Sequence, residues 1–512
     1  MEVLKFVVFF AVFVFLLLEC ELASILGVFP VPLLSHQSVF RTLTNELVRR
    51  GHQVTVVTGL PVNEVALENY TEIDVSQIGN KEKERLLSKE IKRSDDIFTQ
   101  YNNILQLTFN YVFKILQSPK VNTMIKDKNQ SFDLIFIEDC TRSGVILSHF
   151  FKAPVISISS FGGSFGTFET TGGAVHPFLY PLSTRRKYRN LSIWDKLYEL
   201  YAHFRLNKIY ENLKSKQDEI NKEYYDSDIP RLNDLIRNIK MVFLNIHPIW
   251  DSNRPVPPNI IYLGGLHQKP QKELPKDLKL LLDSSSNGAI YISLGTFIDS
   301  NLFKKETVQI FINVFSKLPY DVYWKWNGNE ISGLSKNVKV FPWFPQSDVL
   351  RHPNIKLFIT QGGLQSTDEA ITAGVPLIGI PIIFDQFFNT NKYVELKIGQ
   401  ELDVELLTED ILTNAISEVI NDETYKNNVI KLRSQLNDTP QTSLDRAVFW
   451  TEYVLKHGAD HLKTPSADMH WFTYYEMDVV LCAIILSLIF IISFIKIARV
   501  ILKSILRKDK TD

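Results

Sequence analysis

Three short stretches carry residues whose types and spacing suit chemistry. The first is Leu34-Ser35-His36-Gln37-Ser38, just past the apolar run Ser24–Pro30 and at the start of a segment with helical spacing through Arg50. An imidazole at the end of a strand can take a proton from an alcohol, because it titrates near neutrality. A helix-capping or simply exposed histidine is the plainer alternative. His52 precedes the next strand, at the opposite edge, and reads as structural. The second stretch is the apolar run Phe132–Ile137, which ends on two carboxylates, Glu138 and Asp139. A carboxylate beside a histidine base fixes its tautomer and stabilises the imidazolium, so either acid is a candidate partner for His36. The third is Gln361-Gly362-Gly363-Leu364-Gln365-Ser366, set between the apolar runs Lys356–Thr360 and Val375–Pro381 and followed by the helix-like Thr367–Ala373. Glycines before a helix let backbone N–H groups approach a phosphate, and the helix dipole favours its charge. Gly295 and Thr296, closing the run Ala289–Leu294, are placed to meet a diphosphate as well.

These residues need strands that end beside one another. Ser24–Pro30, the helix to Arg50, and Gln53–Thr58 form a βαβ opening, which predicts a doubly wound sheet for the N-terminal half. Phe132–Glu138 and Ala153–Ser159 are further strands, and the run from Tyr70 to Asn129 reads as mixed polar and helical. Within it Ile97–Val121 carries apolar residues at helical spacing and is expected to be core or pocket wall. Gly162–Gly166 has neither G-x-G-x-x-G spacing nor a Lys-Ser/Thr ending, so it reads as a flexible loop. Arg185-Arg186-Lys187 with Tyr188, Trp194, Tyr198 and Tyr201 is basic and aromatic; a solvated helix face is preferred over a membrane contact. The proline-dense Pro248–Pro258 suggests a domain boundary, with Ile260–Leu266 opening the second half. Ala289–Thr296, Tyr323–Trp326 and the two runs around Gly362 make that half α/β too.

The stretch Val340–Gly399 resembles the signature of the UDP-glycosyltransferases, in particular the membrane-bound animal branch. The matching residues are Trp343-Phe344-Pro345-Gln346, His352-Pro353, Phe358-Ile359-Thr360, Gly362-Gly363, Ser366, Glu369-Ala370, Gly374-Val375-Pro376, Pro381 and Asp385-Gln386. The resemblance implies a GT-B fold, two Rossmann-like domains facing a crevice, and inverting transfer of a sugar from a UDP-sugar. It implies that His36 is the general base. Asp139 is preferred as its partner, because Asp139-Cys140 resembles a pair in insect-type members; Glu138, at the position where vertebrate members carry Asp, is the rival. Trp343 would face uracil with Gln346 nearby, Glu369 would meet the ribose, Asp385 and Gln386 the sugar, and Thr360, Gly363 and Ser366 the phosphates. Gln361 departs from the histidine that many relatives carry there, which predicts weaker charge stabilisation on the leaving diphosphate. Asp226-Ser227-Asp228 resembles a metal motif of a different transferase fold, but it precedes a helix where acids cap, and neither a metal nor a cofactor is expected. UDP-glucose is the preferred donor over UDP-glucuronate, and a small lipophilic acceptor is expected. A non-catalytic UDP-sugar- or lipid-binding protein and a GT-B epimerase are the competing readings.

The rest of the sequence bounds the setting. Lys+Arg 56 against Asp+Glu 57 shows no basic excess, so no nucleic-acid partner is expected. Residues 1–23 read as a signal peptide. Val479–Ile495 reads as one membrane span with a basic tail at 496–512, which predicts a type I protein of the endoplasmic reticulum membrane with its bulk lumenal and the lipid bilayer as a partner. The domains expected between are 24–250 for the acceptor, 251–440 for the UDP-sugar and 441–478 as helices returning to the first domain. Of the cysteines, Cys140 alone falls between leader and span, which excludes a disulfide within that part. Sequons stand at Asn69, Asn129, Asn190 and Asn437, and homo-oligomerisation is left open.

Overall fold

The computed structural model describes residues 22–62, 68–88, 96–183, 185, 190–296, 303–467 and 469–508. The leader, apart from its last two residues, and Arg186, Lys187 and Tyr188 lie outside these.

Two parallel sheets make up the body. The first has seven strands: β1 Ser24–Phe29, β2 Gln53–Thr58, β3 Tyr70–Asp74, β4 Leu134–Glu138, β5 Val155–Ser159, β6 Ile239–Leu244 and β7 Ile260–Tyr262, in the order β3-β2-β1-β4-β5-β6-β7. Strands β4 and β5 are buried along their whole length. That is why they read as continuous Ile/Leu/Val/Phe runs: helices cover both faces of a parallel sheet. The chain turns back at β1/β4, where β2 lies on one side of β1 and β4 on the other. Ligands of such sheets collect at the carboxyl ends of the strands flanking this switch point. Helix α1 (Leu34–Arg49) leaves β1 there, burying Val39, Phe40, Leu43 and Leu47 against β1, β2 and β4. Helix α2 (Ile97–Gln117) and the long α3 (Ile193–Tyr224) pack together over the other face.

Strand β7 corrects the expected boundary. It pairs in parallel with β6, Phe243 opposite Ile261, so the first sheet runs to Tyr262 and the proline-dense segment joins two of its own strands. Strand β3 was read as part of a mixed polar and helical region. It is an edge strand with no buried residue, so its polar side chains are where an edge tolerates them.

The second sheet has six strands: β8 Ala289–Ser293, β9 Asp321–Lys325, β10 Val338–Phe341, β11 Ile355–Thr360, β12 Leu377–Gly379 and β13 Gly399–Glu401, in the order β10-β9-β8-β11-β12-β13. It repeats the logic of the first, with its switch point at β8/β11. Helices α4 (Leu364–Ala373) and α5 (Gln386–Glu395) follow β11 and β12. Helix α6 (Ser443–His457) crosses back: Ala447, Val448 and Val454 join the core beneath α1, Ser443 Oγ donates to Gly264 O at 2.7 Å, and Arg446 bonds Tyr262 O. Full burial of a valine such as Val448 contributes roughly 1.5–3 kcal/mol. Helix α7 (Met477–Lys508) is long and apolar enough over Met477–Lys503 to cross a bilayer, and no part of that stretch is covered by the body. It therefore extends past the span expected at 479–495. The four sequon asparagines are exposed.

Candidate active site

His36 occupies the first turn of α1 and Glu138 the last position of β4, so the switch point itself sets them face to face. His36 Nδ1 lies 2.5 Å from Glu138 Oε1. The carboxylate is buried, and its other oxygen accepts from Val31 N–H at 3.4 Å. The ring packs edge-on to Phe161. Cys140 lies against the same carboxylate; burial, then the Glu138 charge, push its thiol well up, which keeps it protonated. His36, Glu138 and Cys140 have ligating atoms within 4.8 Å of one another, a cluster of metal-binding types. The Nδ1–Oε1 separation is that of a direct hydrogen bond, which leaves Nε2 as the ring nitrogen not held by the acid.

Asp139, the preferred partner in the sequence, does not reach His36. Consecutive residues leaving a strand point to opposite sides, and Asp139 points into the protein. It accepts from Arg142 Nη2 at 2.7 Å, Ser157 Oγ at 2.8 Å, Thr167 Oγ1 at 2.7 Å and Ser164 N at 2.9 Å. Burial works against its charge, but Arg142 and these donors outweigh it and hold the carboxyl below its usual range. Asp139 thus fastens the Gly162–Gly166 loop beside the pocket. The sequence also missed Gln37. Its buried amide donates to Phe29 O at 2.7 Å and Val31 O at 2.9 Å and accepts from Thr58 Oγ1 at 3.0 Å, fixing the turn that carries His36. A glutamine on the apolar face of an amphipathic helix was the available signal.

Across the crevice the second switch point brings together the residues around Gly362. Gly295 and Gly362 both have φ of +89°, the left-handed region that favours glycine. A Cβ on Gly362 would come within 2.5 Å of Thr390 Cγ2, and one on Gly295 within 2.3 Å of Gln361 Nε2. Gln361 is therefore packed against the Gly295 turn, and Thr360 Oγ1 lies 3.3 Å from its Oε1. Helix α4 starts right after Gly363, and its first N–H groups have no carbonyl one turn back to bond. Thr296 and Trp343 are exposed. Lys325, read only as part of a strand, is the cation here. It is buried, its Nζ donates to Gly295 O at 2.6 Å, and it lies 5.4 Å from the centre of the Trp343 ring. Burial lowers its pKa.

Gln346, Ser366 and Glu369 form one cluster. Gln346 Nε2 is 2.7 Å from Glu369 Oε2 and 2.9 Å from Ser366 Oγ, and Tyr291 OH reaches Gln346 Oε1 at 3.3 Å. Burial raises the Glu369 pKa, while the Gln346 amide pulls it back. Asp385 is delivered by Phe384, whose φ of +55° is unusual for a side-chain-bearing residue. Burial raises the Asp385 pKa, with the Asn389 amide and the His36 ring acting in the opposite sense, so Asp385 sits within electrostatic reach of the first switch point. Asn389 donates to Asp385 Oδ2 at 2.9 Å and Gly362 O at 2.8 Å, and accepts from Trp250 Nε1 at 2.8 Å. Gln386 was expected beside Asp385 as a sugar contact. Its Oε1 accepts from Ile382 N and Ile383 N at 2.8 and 3.0 Å, which closes the loop that presents Asp385. Asp226 and Asp228 bond Ser227 in an exposed turn.

The two halves touch at the chemistry. Gln365, in the first turn of α4, donates to Ser35 O and takes a 3.3 Å bond from Ser38 Oγ, on either side of His36. A cavity with about 890 Å³ of empty space, its open mouth included, runs from Phe161 and Asp385 past Phe168 and Leu206 to Glu199 and His203.

A glycine-lined switch point with Lys325 beneath it thus faces a histidine–carboxylate switch point. Residues 25–511 match the family described as UDP-glucoronosyl and UDP-glucosyl transferase. The chain is 36% identical over 478 residues to an ecdysteroid UDP-glucosyltransferase of Spodoptera littoralis nuclear polyhedrosis virus, covering 89% of this chain and 93% of that one. It is 32% identical over 471 residues to UDP-glucosyltransferase 2 of Dactylopius coccus, covering 90% and 89%. Among solved structures the kitacinnamycin glycotransferase aligns with a TM-score of 0.57 at 18% identity, over 84% of this chain and 98% of that one, a likeness of fold. The chain belongs to the UDP-glycosyltransferase family, and its fold is GT-B.

Proposed function

We propose that this enzyme transfers glucose from UDP-glucose to a hydroxyl of a small lipophilic acceptor, with inversion at the anomeric carbon. The observation that carries the reading is the Glu138-held His36, clasped through Ser35 and Ser38 by the glycine loop's own Gln365. His36 Nε2 takes the acceptor proton as the acceptor oxygen bonds to the anomeric carbon. The bond from that carbon to the diphosphate breaks, and UDP leaves with the electron pair. Glu138 stabilises the imidazolium that forms. On the donor side Trp343 lies along uracil, Gln346 beside it, and Glu369 accepts from the ribose hydroxyls. The diphosphate meets the N–H groups around Gly363–Ser366, the turn of Gly295 and Thr296, Thr360 and Gln361, with Lys325 beneath. Asp385 accepts from the sugar hydroxyls. Neither a metal nor a cofactor enters these steps.

The names of the viral and insect relatives favour UDP-glucose over UDP-glucuronate as donor, and the ecdysteroid in the viral relative's name supports a small lipophilic acceptor. Helix α7 fits a single-pass anchor, and the leader read in the sequence with the basic tail favours an endoplasmic reticulum protein with its body in the lumen. The test is transfer of radiolabelled glucose from UDP-glucose to a phenolic acceptor, followed by the anomeric configuration of the product. A β-glucoside is expected. An α-glucoside would contradict a single displacement, and no transfer from any UDP-sugar would favour a binding protein on the same fold.

A further inference from the structure

The histidine–carboxylate pair has a neighbour that the reaction leaves unused. Cys140 follows Glu138 in the turn after β4, and its thiol meets the same carboxylate that His36 meets. His36 Nδ1, a carboxylate oxygen of Glu138 and Cys140 Sγ all lie within 4.8 Å of one another. Among the described residues this is the one group of three His, Cys, Asp or Glu side chains so placed. No local spacing marks it, because His36 comes from α1 and the other two from the end of β4.

The three side chains meet the demands of an ion. Glu138 is buried and its Oε2 takes the Val31 N–H, so Oε1 is the oxygen left to ligate, and the bond behind it keeps it aimed. The His36 side chain keeps 14% of its surface exposed, a way in from the crevice. Ligand atoms around one tetrahedral Zn2+ stand about 3.3–3.6 Å apart. His36 Nδ1 and Glu138 Oε1, 2.5 Å apart across a proton, need only spread by roughly 1 Å to admit the ion, and Sγ need only close by about as much. A thiolate and an imidazole select Zn2+ over Mg2+, Ca2+ or Mn2+, and the carboxylate and thiolate together balance its charge.

We propose that Zn2+ binds His36, Glu138 and Cys140 and reversibly switches the base off. The ion bonds to Nδ1, Oε1 and Sγ, with water in its fourth position. The thiol proton leaves to solvent, since the thiolate is the ligand. The hydrogen on Nδ1 gives way to the ion, and the neutral ring carries its one hydrogen on Nε2 instead. Nε2 then has no lone pair to accept the acceptor's proton, while the donor site across the crevice is untouched. The ion takes no part in transfer. The switch, though not the binding of the ion, rests on the transferase reading above.

The test uses the full chain, stripped with a chelator, with Co2+ as a coloured stand-in for Zn2+. Co2+ is expected to give the near-ultraviolet absorption of a cobalt–thiolate bond, saturating at about one equivalent and displaced by Zn2+. Cys140→Ser and Cys140→Ala should each lack the band. No band in wild type, or a band kept in both variants, overturns the site; a kept band would come from Cys20 or Cys482, the other two cysteines. At a Zn2+ concentration that completes the displacement, wild-type kcat on an aliphatic alcohol is expected to fall about tenfold or more, with KM for UDP-glucose within about twofold and full recovery on adding chelator. Each Cys140 variant, measured against its own metal-free rate, should lose less than about twofold, and Mg2+ should leave all three proteins unchanged. On a nitrophenol already ionised at the assay pH, which needs no base, Zn2+ should cost wild type less than about threefold. Equal inhibition of wild type and both variants, inhibition competitive with UDP-glucose, equal loss on both acceptors, or stimulation overturns the switch. The two readings fail separately: a chain that shows the band yet transfers no glucose in metal-free buffer refutes the transferase and with it the switch, and a chain that transfers but shows no band refutes the site alone.

Discussion

The two switch points share a topology and differ in what they carry. At β1/β4 the crevice holds titratable side chains, His36 against Glu138, locked by Gln37 and Val31. At β8/β11 the turn holds glycines, a helix start and neutral amides, with Lys325 under it and the carboxyls of Glu369 and Asp385 on the helix and loop that follow. A proton can be taken only by a group that changes charge, and a leaving diphosphate is best met by dipoles that do not. In the proposed mechanism each sheet supplies one half of the reaction, and Gln365 bonds across to Ser35 and Ser38.

Substitutions can break this division in order of size. Removing the base should cost most: His36→Ala is expected to lower kcat on an alcohol acceptor on the order of 10³-fold with little change in KM for UDP-glucose. A rise in the donor KM with kcat intact would move His36 to the donor side. The adjacent acids should separate next. Glu138→Gln is expected to cost on the order of 10²-fold or more in kcat with stability little changed. Asp139→Asn is expected to act on the fold, because it leaves Arg142 buried without its partner, at roughly 3–5 kcal/mol, read as a lower Tm. The reverse pattern would restore Asp139 as the functional partner.

Donor-side changes should be smaller. Gly362→Ala, strained by its φ and by Thr390, is expected to raise KM for UDP-glucose about tenfold without moving the pH–rate profile. Gln361→His, which adds a cationic donor beside Lys325, is expected to improve kcat/KM by up to about tenfold, one charge-assisted hydrogen bond. No gain would mean that Lys325 already supplies the charge.

The smallest effect is thermodynamic. Burial, then the nearby Glu369, pushes the Asp368 carboxyl up to about 8. With the folded pKa above the unfolded one, the folded state holds the extra proton, so this group's contribution is present at low pH and lost as pH rises towards 8. The wild-type Tm should fall between about pH 6 and pH 8, and Asp368→Asn should flatten that slope. An unchanged slope would place the titration elsewhere.

Much of this was legible because the chemistry sits at strand ends, and apolar runs mark strands. His36 and the glycine turns could be placed that way, while Gln346, Ser366 and Glu369 were named through the resemblance to the family. Side-chain direction could not: two adjacent acids follow β4, and only the Arg142, Ser157, Ser164 and Thr167 contacts, drawn from separate segments, show why Asp139 turns inward. Asn389 acts through tertiary contacts, to Gly362 O and Trp250 Nε1, that leave no local pattern. Lys325 did leave a trace, a charge inside a buried strand. Strand β3 was lost to the polarity of an edge, and the run that holds β7 was assigned to the second half, because pairing with β6 leaves no mark in the sequence.

The division of labour makes one demand that depends on neither donor nor fold stability. A base matters only while the acceptor needs deprotonating. Transfer by wild type and His36→Ala should therefore be compared on an aliphatic alcohol and on a nitrophenol already ionised at the assay pH. The large defect of His36→Ala on the alcohol should shrink to within about tenfold on the ionised phenol. An equal defect on both acceptors would contradict the assignment of proton transfer to the first switch point.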